Sequence, residues 1–408
     1  MKLRVIKLVI TLLLLGLKSF SLCNGTVCVT LTANPIPCGS TTTTINATAS
    51  GGTGPYTYKW ISGYTPGSVN LSASKDNTIY NANFNNSNGS GIYMAVGTTN
   101  SFAINRGLLA FNLSSAIPAG SMVTSTNLNL HVSLSSPSTG PWDHELHKML
   151  QNWGEGTSNA GNAAGIGSPA TTGDATWQNP FYPTGAWIED GGDFETNPSA
   201  TASVGGIGTY TWQSNTMKND VQYWLNNPSQ NFGWILKSAE DNVGQARRYD
   251  SRENSSNAPV LNINYQSPII SLTGQVYNNA TAGTYTIMVI DANQNVGIQT
   301  ITIIQPLCID LTAPTITCAT GTTSISAAAS GGTGPYTYQW ISGYNPNSIT
   351  IAPSKDNTIY ASSTSYSNGA GAYLAIGTTN SFSARRGLIA FDLANAIDPG
   401  SIINNATL

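Results

Sequence analysis

The residues best suited to contact a ligand lie between Asp174 and Glu195, a stretch rich in Gly and Pro that combines aromatic rings with carboxylates. Trp177, Tyr182 and Trp187 could stack on the apolar faces of sugar rings while neighbouring polar groups bind the hydroxyls. Because loops carry binding residues more often than regular elements do, we predict a carbohydrate-binding site here. The alternative is that the same rings pack into a core.

Three arginines, Arg247, Arg248 and Arg252, lie close together in the sequence. A guanidinium pairs with a carboxylate through two parallel hydrogen bonds, so these residues could hold an acidic polysaccharide built from uronic acids. The alternative is pairing inside the protein, for example between Arg252 and Glu253.

Metal binding and catalysis have little support in the sequence. Asp174, Asp190 and Asp193 lie in loops rich in carbonyl oxygens, and calcium takes about six to eight oxygen ligands, so a structural calcium is the one possible cofactor. His144 and His147 point to opposite faces of a strand, which favours ordinary packing. The chain has no nucleophile elbow, phosphate-binding loop or two-histidine helix motif, so we predict no enzyme activity.

Charged residues make up only 9% of the 408 residues, and the formal net charge is −3. Thr, Ser, Asn and Gly are abundant instead, which is typical of secreted β-modules. Without a cluster of Lys and Arg to bind phosphates, nucleic acid is excluded as a partner.

The chain begins with a basic segment that includes Lys2 and Arg4, followed by an apolar run from Val9 to Leu17. Small residues, Ser19 and Ser21, then precede a predicted cleavage site. This layout predicts a secretory signal peptide over residues 1–21, with an apolar run too short to span a membrane. We therefore expect a secreted or cell-surface protein.

The cysteines repeat the same spacing twice, as Cys28 with Cys38 and Cys308 with Cys318. Export permits oxidation, so we predict a short disulfide within each pair. Free buried thiols are the alternative.

A long internal repeat organises the chain. Residues 51–60 return as residues 331–340, and residues 28–128 align on 308–408 without a gap, at an offset of 280 residues. Because solenoid units are only about 20 to 50 residues long, this repeat predicts a tandem array of whole domains. Residues 129–266 have no counterpart before Leu408, so we expect the natural protein to be longer.

Short runs rich in Val, Ile, Thr and aromatic residues, separated by Gly, Asn and Pro, predict β-strands over most of the chain. One stretch differs: Met217, Val221 and Trp224 recur at helical spacing between Ser214 and Asn226. We predict a short amphipathic helix there, within an otherwise all-β protein.

Residues 51–60, Gly-Gly-Thr-Gly-Pro-Tyr-Thr-Tyr-Lys-Trp, resemble the opening half of the SprB-type repeat of large bacterial cell-surface adhesins. Residues 282–293 and 301–306 resemble its closing half, although Gln294-Asn-Val stands where the family has Asn-Gly-Cys. About 200 residues separate the halves, and loop tips tolerate insertions well, so we expect a domain inserted into an Ig-like β-sandwich. The outer domain, residues 25–65 plus 267–306, is called the frame.

The inserted residues, 66–266, are called the insert and resemble the DNRLRE domain, also grouped as carbohydrate-binding module family 96. The resemblance is carried by five motifs in order, at residues 75–80, 106–113, 153–159, 169–177 and 249–254. It implies a jelly-roll-like β-sandwich and polysaccharide binding.

The sequence thus predicts a jelly-roll-like sandwich inserted in an Ig-like sandwich, in tandem repeat. In the second copy the first half of the frame spans residues 307–349 and a truncated insert spans 350–408. We expect a non-catalytic secreted or cell-surface protein that binds polysaccharide, with acidic polymers among the candidate ligands. The alternatives are a structural stalk without a sugar ligand and an accessory region of a larger polysaccharide-degrading enzyme.

Overall fold

A computed structural model describes residues 17–18, 26–135, 140–162, 165–316, 322–343, 347–362, 365–398 and 400–408. The chain forms two compact units, residues 1–334 and 335–408. Nearly all regular elements are strands arranged in antiparallel sheets, so the predicted all-β, sandwich-like fold class is confirmed. The predicted signal peptide lies outside the described residues except for Leu17–Lys18.

The strands before and after the insert are short, apart from two long ones that enter it. They are β1 (Leu17–Lys18), β2 (Val27–Ala33), β3 (Thr43–Gly51), β4 (Thr57–Ser72), and later β16 (Val260–Thr273), β17 (Val276–Ala280), β18 (Gly283–Ile290), β19 (Val296–Ile303), β20 (Cys308–Thr312) and β21 (Ser326–Ser330).

The insert contains the remaining strands of the first unit and one α-helix. They are β5 (Lys75–Tyr80), β6 (Asn86–Ser87), β7 (Tyr93–Thr98), β8 (Ile104–Ala110), β9 (Met122–Ser135), β10 (Trp142–Lys148), β11 (Ser168–Pro169), β12 (Ala200–Val204), β13 (Gly208–Trp212), α1 (Asn215–Asn226), a 3-10 turn (Pro228–Gln230), β14 (Trp234–Ser238) and β15 (Arg247–Asp250).

A first hydrophobic core lies between two sheets of the frame. One sheet contains β2, β3 and β17, and the other contains β4, β18 and β19. Val27, Val29 and Leu31 alternate with more exposed residues along β2, as the two-residue period of a strand requires. Trp60 of β4 is 1% exposed, and its ring packs edge-on against Tyr277 with 5.1 Å between centroids.

The insert has its own core, in which α1 packs against β9 and β14. Ser214 caps the helix by accepting a hydrogen bond from the Met217 backbone N–H. Met217, Val221 and Trp224 are buried along one face, so the predicted helix is confirmed. Trp224 meets Trp234 edge-on at 4.6 Å.

Strands β4 and β16 connect the frame and the insert without a break. Their pairing runs from Lys59 with Thr273 in the frame to Ser72 with Val260 in the insert. The frame end of β4 also pairs with β18, and the insert end of β16 also pairs with β9. A continuous two-stranded ribbon therefore carries the insert, instead of a pair of flexible linkers.

In the second unit, β22 (Lys355–Tyr360), β24 (Ala384–Ala390) and β23 (Gly377–Thr378) form one sheet. Lys355 pairs with Ala390 as Lys75 pairs with Ala110 in the first copy. The repeat in the sequence is therefore also a repeat in strand register.

Candidate ligand-binding site

The loop aromatics singled out by the sequence serve mainly the core of the insert. Trp187 is 4% exposed, belongs to a buried cluster and donates its indole N–H to the Thr176 carbonyl at 2.9 Å. Its predicted role as an exposed sugar platform is therefore wrong. Trp177 is half-buried, and the Arg106 guanidinium lies over its ring at 4.6 Å, so one of its two faces is covered. Tyr182 is also half-buried.

Arg247, the first of the three arginines, is buried and bonded to the backbone. Its side chain donates to the carbonyls of Gly205 at 2.7 Å, Gly244 at 3.1 Å and Ala246 at 3.0 Å. With 2% of the residue exposed, it has no face to offer a carboxylate ligand. Its predicted role in binding uronic acids is wrong, because three loop carbonyls already occupy the guanidinium.

Arg248 and Arg252 are engaged inside the protein as well. Arg248 lies 3.8 Å above the ring of Tyr93 and donates to the Ser133 hydroxyl at 3.2 Å. The Arg252 guanidinium pairs with Glu155 at 2.6 Å and with Glu253 at 2.9 Å. Internal pairing, the alternative from the sequence, therefore describes Arg252.

The Arg252 cluster also holds a buried carboxylate, Asp76. The Arg252 backbone N–H donates to Asp76 Oδ2 at 2.6 Å, and the Asp76 N–H donates to Glu155 at 2.9 Å. Burial raises the pKa of Asp76 well above its usual range. The cluster joins three of the five ordered sequence motifs, residues 75–80, 153–159 and 249–254, at one point of the fold.

The three carboxylates of the predicted calcium site do not act together. Asp174 is buried and accepts the Thr171 backbone N–H at 2.5 Å, whereas Asp193 accepts the backbone N–H groups of Ile188 and Glu189 at 3.0 Å each. Asp190 is exposed. Within the described ranges, no group of three or more His, Cys, Asp or Glu could hold a metal ion, so this ligand set is wrong. The carboxylates instead bind the N–H groups of their own loops.

Both histidines of strand β10 are buried and hydrogen-bonded. The Gln245 carbonyl accepts from His144 Nε2 at 3.1 Å, and Tyr249 Oη lies 2.9 Å from His144 Nδ1. His147 Nδ1 lies 2.8 Å from the Glu195 carbonyl. Burial lowers the pKa of His144 to about 3, so its ring is neutral at pH 7. The two histidines have packing roles, as expected from the sequence.

The disulfide of Cys38 joins it to Cys308 across a sequence separation of 270 residues. The predicted pairs Cys28–Cys38 and Cys308–Cys318 are therefore wrong. Cys28 lies near the start of β2, and Cys38 follows its far end, so an extended strand of about 3.3 Å per residue keeps the two apart. Cys28 is disulfide-bonded too, and Cys318 lies outside the described residues.

The end of the insert farthest from the frame is defined by the register of β9. Met122 of β9 pairs with Gln266 near the frame, whereas Ser135 pairs with Arg247 at the other end of the strand. Val96 of β7 also pairs with Arg247. The turn from β7 to β8, residues 99–103, therefore lies at this distal end.

Two exposed aromatic residues occupy neighbouring loops at the distal end. Phe102 is 73% exposed in the β7–β8 turn, and Phe84 is 50% exposed in the loop after β5. Asn81, which precedes Phe84, exchanges hydrogen bonds with Ile104, which follows Phe102. The loops therefore emerge side by side, and we call Phe84 and Phe102 the aromatic tip.

Phe102 has a φ of 62°, in the left-handed region that a bulky side chain rarely adopts. The turn holds it there: its N–H donates to the Thr99 carbonyl at 3.2 Å, and the Ala103 N–H donates to Thr99 Oγ1 at 3.1 Å. In the second copy Phe382 repeats the turn, with a φ of 58° and 90% exposure. Strain and exposure together are unfavourable, so packing does not explain a phenylalanine here.

The two loops that form the aromatic tip are polar and contain no charged residue. The loop after β5 contains Asn83 and Asn85, and the turn contains Asn100 and Ser101, all of them exposed. Rings flanked by amides and hydroxyls can stack on a sugar and bind its hydroxyl groups. These uncharged rings, amides and hydroxyls do not attract a polyanion.

The aromatic tip was not predicted from the sequence. The available signal was a phenylalanine inside the polar turn Thr-Thr-Asn-Ser-Phe, residues 98–102, repeated without change at residues 378–382. A hydrophobic residue surrounded by turn-forming residues has no strand face to bury it.

The SprB repeat family model matches residues 30–65 and 315–345, one stretch in each copy of the internal repeat. These matches support the SprB-type repeat at both places, and such repeats are typical of cell-surface, adhesin-like extracellular proteins. No curated protein matches the chain. Among the described residues, no helix is long and apolar enough to cross a membrane.

Proposed function

We propose that this protein is a non-catalytic cell-surface adhesin in which the frame carries the insert and the insert binds polysaccharide through its aromatic tip. The observation that carries the proposal is the strained and exposed position of Phe102 at the distal end, which recurs at Phe382. Costly local structure of this kind concentrates at functional sites.

The chemistry of the aromatic tip favours a neutral polysaccharide. Its loops present phenyl rings and asparagine amides, without a charged residue in 81–86 or 99–103. The arginines that suggested an acidic polymer are bonded to carbonyls, to the ring of Tyr93 or to carboxylates of the protein. The proposed ligand class is therefore a neutral glucan, mannan or xylan chain with accessible apolar sugar faces.

The proposed domain division follows the sequence. The signal peptide covers residues 1–21, the frame 25–65 and 267–306, the DNRLRE-like insert 66–266, and the second copy 307–349 and 350–408. Separate hydrophobic clusters in the frame and the insert support it. A ribbon of β4 and β16 between the two would present the tip at a fixed distance from the frame.

A structural stalk is the competing function, and one observation favours it. Trp187 and Arg247, two of the residues proposed to bind sugar, are buried parts of the fold. The other alternative, an accessory region of a larger polysaccharide-degrading enzyme, would also bind polysaccharide through the insert. It differs from the adhesin only because it requires a catalytic domain elsewhere in the protein.

Binding of the oxidised full chain to a panel of insoluble and soluble polysaccharides tests the proposal. The panel includes neutral glucans, mannans and xylans beside alginate and pectate. Retention on a neutral polymer supports the adhesin. Binding only to alginate or pectate refutes the neutral ligand class, and binding to no polymer by folded protein leaves the stalk.

A further inference from the structure

We propose that the Cys38–Cys308 disulfide is a mechanical bypass, which carries tension along the chain past the whole insert. The bond joins two residues that are far apart in sequence, 270 positions, while their Cα atoms are 5.6 Å apart. The inference rests on the function proposed above: in a tandem array, a copy that lies between the cell and another copy bound to polymer is pulled from its two ends.

The residues enclosed by the bond are nearly all of the first copy. Cys38 follows β2, and Cys308 begins β20, so strands β3 to β19 and helix α1 lie inside the closed loop. The paired strands β4 and β16, which carry the insert, are among them. When the two chain ends are pulled apart, the force passes from β2 through the two sulfurs into β20.

The bond connects successive copies of the repeat. In β20 and β21, Cys308 pairs with Ser330, which reproduces the pairing of Cys28 with Ser50 in β2 and β3. Cys308 is therefore the counterpart of Cys28 and opens the second copy. The loop cysteine of one copy is thus bonded to the opening strand of the next.

The connection between β19 and β20, next to the disulfide, is short and is also held by a hydrogen bond. Strand β19 ends at Ile303, and β20 begins only a few residues later at Cys308. Within that connection, the Gln305 side chain donates to the Ser40 carbonyl at 3.3 Å, close to Cys38 in the sequence. The connection from the first copy to the second therefore lies beside the Cys38–Cys308 disulfide.

The disulfide determines whether residues 39–307 unfold under tension. Strands held by hydrogen bonds and packing separate at forces that leave a covalent bond intact. With the bond closed, the covalent path of the tension leaves out residues 39–307, and load reaches them only through non-covalent contacts such as the pairing of β2 with β3. The insert then stays folded and able to hold its ligand. With the bond open, the same residues lie in series with the load.

Single-molecule stretching of the full chain, with handles at its two ends, tests the bypass. We compare the oxidised protein with a Cys38→Ser/Cys308→Ser double variant. At about 3.3–3.6 Å per residue, the enclosed segment adds roughly 900 to 970 Å of extension in the variant, and the oxidised protein should lack it. Extension of the oxidised chain to the full length of the variant would overturn the proposal.

The readout remains valid if the variant fails to fold, because the contour length of a stretched chain does not depend on its starting structure. A thiol reductant applied to the wild type should release at least the same extension, because it also opens the disulfide of Cys28. No polysaccharide is present in the measurement, so failure of the proposed ligand does not affect it, and failure of the bypass leaves the proposed ligand intact.

Discussion

Gly120 of the insert lies directly against the sulfur of Met288 in the frame. Met288 belongs to a small apolar cluster with Ile61 and Ile290 of the frame, and Ala119 of the insert packs on it. The insert is therefore held by this contact, by the ribbon of β4 and β16, and by the Thr26 hydroxyl, which donates to Asn227 Oδ1 at 2.8 Å. These separate attachments restrict how far the insert can tilt on the frame.

Gly120→Ala should weaken the attachment of the insert. Gly120 has a φ of 79°, where an added Cβ is strained, and that Cβ would also meet the Met288 sulfur. Gly161→Ala is the matched control, since its φ of 59° brings the strain while nothing lies within 4 Å of the added Cβ. We expect about 1 kcal/mol of lost stability for the control and about 1 kcal/mol more for Gly120→Ala in urea unfolding. Equal losses would show that the contact contributes nothing.

Trp187→Ala should reduce stability and not act through a sugar contact. The Trp187 ring is buried and hydrogen-bonded to Thr176, and truncating such a ring costs about 3–5 kcal/mol. The neighbouring Ile188 is 86% exposed, so Ile188→Ala should change the unfolding free energy by less than about 0.5 kcal/mol. A Trp187→Ala protein of unchanged stability would instead favour the surface role predicted from the sequence.

Patterns that depend on local periodicity could be read from the sequence. The spacing of Met217, Val221 and Trp224 identified α1, because a helix buries one face every three or four residues wherever it packs. The repeat offset likewise aligns Lys355 with Lys75, and the structure pairs the two residues in the same register. These features need only neighbouring residues or an internal copy for comparison.

Features set by contacts between distant segments could not be read in this way. Trp187 and Phe102 both lie in polar, glycine-rich surroundings, yet the fold buries the first and exposes the second. The repeated spacing of the cysteines suggested bonds within a copy. In the structure, strand β2 separates Cys28 from Cys38, and the fold brings Cys308 beside Cys38. Sequence spacing does not contain these three-dimensional distances.

His144 should make the protein sensitive to acid. Burial lowers its pKa to about 3 in the folded protein, against about 6.5 when unfolded. Between about pH 3 and pH 6.5, His144 binds a proton in the unfolded protein but not in the folded protein. The stability that neutral His144 contributes is therefore complete above about pH 6.5. It decreases as the pH falls, by up to about 1.4 kcal/mol per pH unit.

We therefore expect His144→Gln to be less stable than the wild type at pH 7 and to lose less stability on acidification. By pH 4.5 the gap between the two proteins should have narrowed by about 2–3 kcal/mol in urea unfolding. Asp76, whose raised pKa acts in the opposite direction, contributes equally to both proteins and cancels in the difference. Parallel pH profiles would contradict the assignment.

Phe102→Asn should leave the fold as stable as before or more stable. Phe102 is 73% exposed, so little burial is lost, and asparagine tolerates a φ of 62° better than phenylalanine does. Thermal unfolding should show a gain of up to about 1 kcal/mol. A loss of more than about 1 kcal/mol would mean that the ring packs against the fold and is not held out for a ligand.

The most direct test of the account is the affinity of the full chain for the neutral polysaccharide it retains, with and without the aromatic tip. Every protein in the series carries Phe382→Ala, so that the second copy does not mask the effect. Phe84→Ala with Phe102→Asn should weaken binding at least about tenfold, or about 1.4 kcal/mol, while Ile188→Ala should bind as the parent does. Equal affinity of the tip variant and the Ile188→Ala control would contradict the proposal that the insert binds polysaccharide through Phe84 and Phe102.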